Sequence, residues 1–248
     1  MYEERVYRRG MGGISGMTDF EVVEEETDLW ISIDSSSYFK GIEEEIRGLV
    51  LRLREDLKEY ISRDPRFLIA FEPYRLLPEA PEIVMDMARA AEKAGVGPMA
   101  AVAGAVAWGV GREIREKTGC GRLMIENGGD IYIFGECPFT IAVYAGESPL
   151  SEKVGIRVNV SGELGVCTSS GTVGHARSFG RADACVVSSE NVVVADAFAT
   201  TYCNKVQTQG DIQRVLDLAK DCPDVRGVLV IMGETLGAWG DLELVGLD

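Results

Sequence analysis

Two periodicities in the placement of apolar residues organise this chain. In residues 20–33, Glu21-Val22-Val23 and Leu29-Trp30-Ile31-Ser32-Ile33 read as strands on either side of an acidic turn. From about 41 to 62 the pattern changes. Ile42, Ile46, Leu49, Leu53, Leu57 and Ile61 recur every three or four positions, which predicts a long amphipathic helix ended by Asp64-Pro65. Pro73, Pro78 and Pro81 make 66–81 a connector with room for one short strand. A helix follows over about 82–94 and stops at Gly95. Another begins at Pro98, proline being favoured at a first helical position. Ala100, Ala101, Ala103, Gly104, Ala105, Ala107 and Gly109 leave this helix, which runs to about 116, with little side-chain bulk. It can approach a sheet or a ligand closely, and tight core packing is its plainer use.

Beyond Gly121 strands dominate: Leu123-Met124-Ile125, Ile131-Tyr132-Ile133-Phe134, 140–144, 154–160, 165–168 and 184–187. Val192-Val193-Val194 reads as a lead into a helix beginning near Asp196. A further helix spans about 211–221, with Asp211 as a good N-cap residue, and strands at 228–232 and 242–245 close the chain. Helices and strands come in runs rather than in strict alternation, which predicts an α+β fold. No repeat, linker or low-complexity tract divides the sequence, so residues 1–248 are read as a single domain.

Composition narrows the function classes. Of the 248 residues 46% are hydrophobic and 26% charged, so a packed core is expected. The net charge of −15 argues against nucleic acid, which calls for a basic patch, and against an anionic membrane surface. The small basic clusters, Arg8-Arg9 and Arg47, Arg52 and Arg54, read as solvated faces. Cysteines 120, 137, 167, 185, 203 and 222 form no C-x-x-C pair and are expected to be buried, reduced thiols. Residues 1–13 carry no apolar stretch and no run of eighteen apolar residues occurs, so a cytoplasmic location is expected and the Asn159-Val160-Ser161 sequon should go unused.

Candidate chemistry is concentrated between residues 126 and 200. Gly95-Val96-Gly97-Pro98-Met99-Ala100 matches a dinucleotide fingerprint in letters only: a helix precedes it instead of a strand, and Pro98 lacks an N–H for pyrophosphate. Glu126-Asn127-Gly128-Gly129-Asp130 puts two residues free to take positive φ between polar side chains, either as a ligand-approaching loop or as a tight β-turn. Thr168-Ser169-Ser170-Gly171 and the residues up to His175, the sole histidine, place hydroxyls and amides after a strand. This suits phosphate or carbonyl oxygen, or equally a hydroxyl-stabilised turn. Ser169 or Ser170 could pair with His175 as a nucleophile, although no G-x-S-x-G elbow is present. Asp196 and Thr200 lie four apart on a helix and could hold Mg²⁺ with hard oxygen ligands; the alternative is an aspartate favouring the helix dipole.

Together these segments resemble the ApbE family of flavin transferases, and the chain as a whole resembles an uncharacterised ApbE-like family of bacteria and archaea. The resemblance is carried by residues 97–104, 126–131, 144–151, 167–175, 179–184 and 195–197, in that order. It implies an ApbE-like α+β fold with two sheet-and-helix halves around a central cleft. It also implies that Asn127, Gly128, Gly129 and Asp130 line the site of FAD or a related flavin nucleotide, together with Thr168, Ser169, Ser170 and Gly171. His175 and Asp196 would serve catalysis, and Asp196 and Thr200 would bind Mg²⁺.

In that family FMN passes from FAD to a hydroxyl of an acceptor protein, so a nucleotide-like ligand and an acceptor are the implied partners, and a homodimer is compatible with the reading. The sequence departs from the transferases in two places. Their Gly-x-x-x-Lys-Gly segment is represented by the lysine-free 97–104 stretch, and their N-terminal methionine-glycine motif only by Gly10-Met11-Gly12-Gly13. These departures support an alternative, a non-catalytic binding protein for a flavin-like or other anionic metabolite. A metal-free hydrolase using the Ser/His loop is a third reading.

Overall fold

A computed structural model describes residues 14–173 and 179–247. Met17–Glu24 (β1) and Thr27–Asp34 (β2) form a hairpin. Four helices follow: Ile42–Arg63 (α1), the short Arg66–Ile69 (α2), Glu82–Ala94 (α3) and Val102–Thr118 (α4), the last preceded by a 3₁₀ turn at Pro98–Ala101. The chain then returns to strands with Leu123–Asn127 (β3), Asp130–Ala142 (β4), Val154–Ser169 (β5) and Ala184–Ser189 (β6). Val192–Asn204 (α5) and Asp211–Lys220 (α6) precede Gly227–Met232 (β7), Thr235–Gly240 (β8) and Glu243–Gly246 (β9).

The fold is α+β, as expected. Its halves share one continuous antiparallel sheet in the order β1 to β8, with β9 added along β5. Alternation along the strands divides the core in two. One face presents Leu29, Ile31, Ile125, Tyr132, Val187 and Val230 to α1, α3, α4 and α5. The opposite face holds Trp30, Ile133, Phe139, Ile156, Val158 and Leu229 in a second core closed by strands and by Val143 and Ala145 of the loop after β4, without a helix. The long β4–β5 hairpin makes this second core possible, because its distal half covers what would otherwise be an exposed apolar face.

Several expectations need correction. The 66–81 connector contains the helical turn α2 and no strand. β4 and β5 are each one long strand instead of two short ones. The glycine-interrupted β8 had too little apolar alternation to be read as a strand at all. Val192-Val193-Val194 is the first turn of α5. Asn191 decides this: its side chain accepts from Val193 N at 2.9 Å and Val194 N at 3.1 Å, supplying the N-cap that overrides a β-branched run. Asp211 opens α6, but its carboxylate turns back to accept from Gln207 N and Thr208 N. Cysteines 120, 167, 185 and 203 are buried and Cys137 and Cys222 half-buried, all as free thiols. Among the described residues no single helix is long and apolar enough to cross a membrane.

α5 lies at the centre of the helical layer. Eleven of its residues are buried, and glycines let its neighbours come close. A Cβ on Gly165 of β5 would sit 2.3 Å from the Val192 Cα, against backbone that cannot move aside. Gly165→Ala is therefore expected to destabilise the protein by about 1–3 kcal/mol through overpacking. Gly48→Ala on α1, where an added Cβ would make only an ordinary contact with the flexible Arg52 side chain, should stabilise it by about 0.5–1 kcal/mol. Urea unfolding of both variants checks this, and equal effects would show that the close contact does not govern how α5 seats.

Candidate functional site

The turn between β3 and β4 is built on Gly128 and Gly129, with φ of 70° and 97°, the left-handed pair that a two-residue hairpin demands. It pairs Asn127 with Asp130 and places Asp130 opposite Cys167 of β5. The turn reading of this segment therefore holds, and the turn also aims side chains. By strand alternation Asn127, Asp130 and Cys167 face the helices, while Glu126, opposite Trp30, belongs to the other face. Glu126 is 1% exposed, and its Oε1 accepts the Gly129 N–H at 2.7 Å, bracing the turn. The Asn127 amide donates to Ala103 O at 3.1 Å and fastens the turn to the start of α4.

Asp196, on the second turn of α5, reaches across to the same place. Its Oδ2 accepts the Gly104 N–H at 2.8 Å, and the Ala103 N–H also bonds to this carboxylate. These are amides of the first turn of α4, whose N-cap residue Ala101 has no side chain able to hold them. Asp196 is thus an N-cap supplied by another helix. The expected role at the N-terminus of its own helix is corrected: α5 is capped by Asn191, and the helix end that Asp196 serves is that of α4. Gly104 has to be glycine: a Cβ there would meet Val192 O at 2.8 Å and the Asp196 Cβ at 3.0 Å.

Asp130 and Asp196, 7% and 8% exposed, are close enough to perturb each other. Burial raises the Asp130 carboxyl well above the usual range, and the negative charges of Asp196 and Glu126 add to this. Burial also pushes Asp196 up to about 7, partly offset by the two α4 amides. Asp130 Oδ1 has no hydrogen-bond partner, an exceptional state for a buried oxygen. The Cys167 thiol beside it is raised by burial and by both carboxylates, so it is not a reactive thiolate.

The hydroxyl loop ends β5. Thr168 and Ser169 are half-buried there, and Gly129 packs on Thr168. Ser170 is used internally: its Oγ accepts from Thr172 N at 3.1 Å and Val173 N at 2.9 Å, the hydroxyl-stabilised turn. Gly171 allows the loop to lie against Gly180, since a Cβ would fall 2.0 Å from Gly180 O. Asp183 clamps two loops by accepting from Thr172 Oγ1 at 2.9 Å and Gly233 N at 2.7 Å. Thr200 follows Asp196 by one turn of α5. His175 and the Gly10–Gly13 segment lie outside the described residues.

The structure therefore gathers Asn127, Asp130, Asp196 and the end of β5 into one region. Sequence reasoning missed the α4 amides at Ala103 and Gly104 and the contribution of Cys167. Among the described residues no three Asp, Glu, His or Cys side chains converge as a metal cage. Two surface hollows, about 210 Å³ beside α1 and α4 and about 480 Å³ beside Lys93, Phe198 and Tyr202, are lined by none of these site residues. The residues at 95–104 hold no dinucleotide loop: Gly95 ends α3 in the left-handed region, and Gly97 packs on Ala70 backbone.

This combination of sheet, helical layer and site defines an ApbE-like α+β protein. The same fold is seen in the flavin transferase ApbE from Vibrio cholerae (TM-score 0.58, 12% identity, 91% of this chain and 97% of that one). It is also seen in the flavinyl transferase ApbE of Pseudomonas stutzeri (0.57, 13%, 90% and 94%) and in an ApbE protein of Thermotoga maritima (0.52, 14%, 89% and 96%). Residues 13–232 match the family described as AbpE bacteria, and the chain belongs to that family. Curated relatives named UPF0280 protein include one from Methanococcus aeolicus, 40% identical over 88% of both chains. Others come from Methanocaldococcus jannaschii (37%, covering 92% of this chain and 93% of that one) and Methanospirillum hungatei (45%, 76% and 75%).

A carboxyl raised in the folded state contributes stability that is complete below its unfolded pKa of about 3.9 and is lost as pH rises through the folded value. For Asp196 that window runs from about 4 to about 7, and the raised Asp130 carboxyl adds a contribution of the same sign. Asp130→Asn, which removes the charge at equal size, should therefore raise the melting temperature of metal-free protein more at pH 8 than at pH 5. The same shift at both pH values would show that Asp130 carries no buried charge.

Proposed function

We propose that this protein binds a flavin nucleotide with Mg²⁺ and transfers FMN from FAD to a hydroxyl of an acceptor protein, the chain working as a single domain. The observation that carries the reading is the buried Asp130–Asp196 pair beside the hydroxyl loop. The two buried carboxyls are near enough to interact electrostatically, and one oxygen, Asp130 Oδ1, lacks any partner. Such a donor set fits a hard divalent cation. A carboxylate oxygen that accepts one amide keeps a lone pair, so capping α4 leaves Asp196 able to act as a ligand. Asp196 and Thr200 would hold the cation, with Asp130 beside them. When bound, it supplies positive charge against a pyrophosphate that this acidic chain otherwise repels.

The chain's own groups have separable tasks in this reading. Asn127 and the Gly128-Gly129 backbone form the floor against which the ligand rests, and the Thr168–Gly171 backbone and hydroxyls receive phosphate oxygens. In the transfer, the acceptor hydroxyl oxygen bonds to the flavin-side phosphorus, the bridging P–O bond breaks, and AMP departs with the electron pair. The hydroxyl proton needs a base, and His175 is assigned to it. The alternative, a binding protein without chemistry, is favoured by one observation: Gly104, the last residue of the lysine-free 97–104 segment, packs directly against Val192 and Asp196.

Titration with FAD, with and without Mg²⁺, tests the reading by flavin fluorescence and then by AMP release. Mg²⁺-dependent binding is expected, and Asp196→Asn should weaken it by roughly tenfold or more. Asparagine is the informative substitution, because its Oδ1 can still cap α4, whereas Asp196→Ala would also cost about 1 kcal/mol of capping. Binding without AMP release, even with candidate acceptors, would establish the non-catalytic alternative. Absence of FAD binding would refute the flavin reading and leave a binding protein for another anionic metabolite.

A further inference from the structure

Phe71 and Phe179 are 58% and 60% exposed, yet their rings meet at 5.3 Å between centroids and 69° between planes. Exposed aromatic surface of this kind marks a contact still to be made. The backbone beneath both rings is fixed. A Cβ on Gly97 would lie 1.7 Å from Ala70 O and 3.0 Å from the Phe71 Cα, so the 70–71 backbone is pressed against the segment leading into α4. Phe179 N donates to Asn204 Oδ1 at 2.7 Å, and Gln207 Nε2 donates to Phe179 O at 2.8 Å. Gly180, next in the chain, packs on Cys203 O at the end of α5. Two rings on anchored backbone, with their faces in water, form a corner set in advance.

The corner and the carboxylate site are tied to opposite ends of one helix. Asp196, Thr200 and Asn204 recur every four residues and so lie along one stripe of α5. Asp196 reaches the start of α4, and Asn204 holds Phe179. Eight residues of helix separate them by about 12 Å. That span is comparable to a nucleotide extended from phosphate to ring. An edge-to-face pair leaves a right-angled notch that a flat ring can enter, with its face on one phenyl and its edge on the other. Ile69, 68% exposed, extends the apolar surface, but the right-angled shape suits a planar ring better than an aliphatic side chain.

We propose that Phe71 and Phe179 clamp the planar heteroaromatic ring of the ligand at the C-terminal end of α5, while its phosphates lie at the Asp196 end. The proposal rests on the nucleotide-binding reading and adds to it which residues grip the ring. The ring is that of a flavin or of adenine.

FAD, FMN and ADP are each titrated with Mg²⁺ by calorimetry against the full chain and against Phe71→Ala, Phe179→Ala and Phe179→Leu. Both rings are mostly exposed, so the melting temperatures should match that of the parent. Alanine at either position should weaken FAD binding by roughly tenfold. Leucine keeps apolar bulk without a π-face and should recover only part of this. A loss shared with FMN assigns the corner to the flavin ring, and a loss shared with ADP assigns it to adenine. If the parent binds FAD and the alanine variants bind within twofold of it, the ring clamp is wrong and the nucleotide reading stands. If the parent binds none of the three, the nucleotide reading fails and the clamp with it.

Discussion

The first turn of α4 presents amides that its own N-cap residue, Ala101, cannot satisfy. Buried donors without partners cost on the order of 1–3 kcal/mol each, so a partner has to come from elsewhere. It comes from Asp196, one helix away and ninety-two residues later in the chain. Much of the helical layer follows from that bond. α5 must pass close to α4, Gly104 must lack a side chain, and Gly165 must let the first turn of α5 lie flat on the sheet. Asn191 then fixes where α5 begins and so which residue falls at the fifth position. A carboxylate with a structural task has been placed in the middle of the candidate site.

The same bond sets the electrostatics. Helix-end amides lower the cost of keeping Asp196 charged, but burial still raises it to about 7. At Asp130 burial is the largest effect and the charges of Asp196 and Glu126 add to it, while hydrogen bonds from Cys167 and the Thr168 amide offset it only in part. The arrangement sits on a fold shared with the flavin transferases of Vibrio cholerae and Pseudomonas stutzeri at only 12–13% identity. What is common at that distance is a geometry of sheet and helices, which leaves the chemistry to be argued from the site itself.

Much of the site was legible in advance because turn chemistry is local. Two adjacent glycines between Asn127 and Asp130 leave few conformations other than the hairpin turn observed, and β4 follows from it. The spacing of Asp196 and Thr200 on a helix was equally local. The clamp made by Asp183 was not legible: its two partners, Thr172 and Gly233, are eleven and fifty residues away. Nor was the use of Ser170 as a turn-stabilising hydroxyl distinguishable from a phosphate ligand, since both uses ask for the same residue types in the same loop.

The sequence by itself determined the elements whose signal is periodic or locally capped. The stripe from Ile42 to Ile61 packs on the core as its spacing requires, and the order of runs specified an α+β fold. Tertiary structure alone decided that the strands form one sheet, that the β4–β5 hairpin covers a second core, and that Val192–Val194 is helical. It alone brought Asp130 and Asp196 together and set Phe71 against Phe179. The physical reason is range. A turn or a helix face is settled by neighbours a few residues apart, whereas an amide cap, a carboxylate pair and an aromatic corner depend on groups that meet only after the chain has closed upon itself.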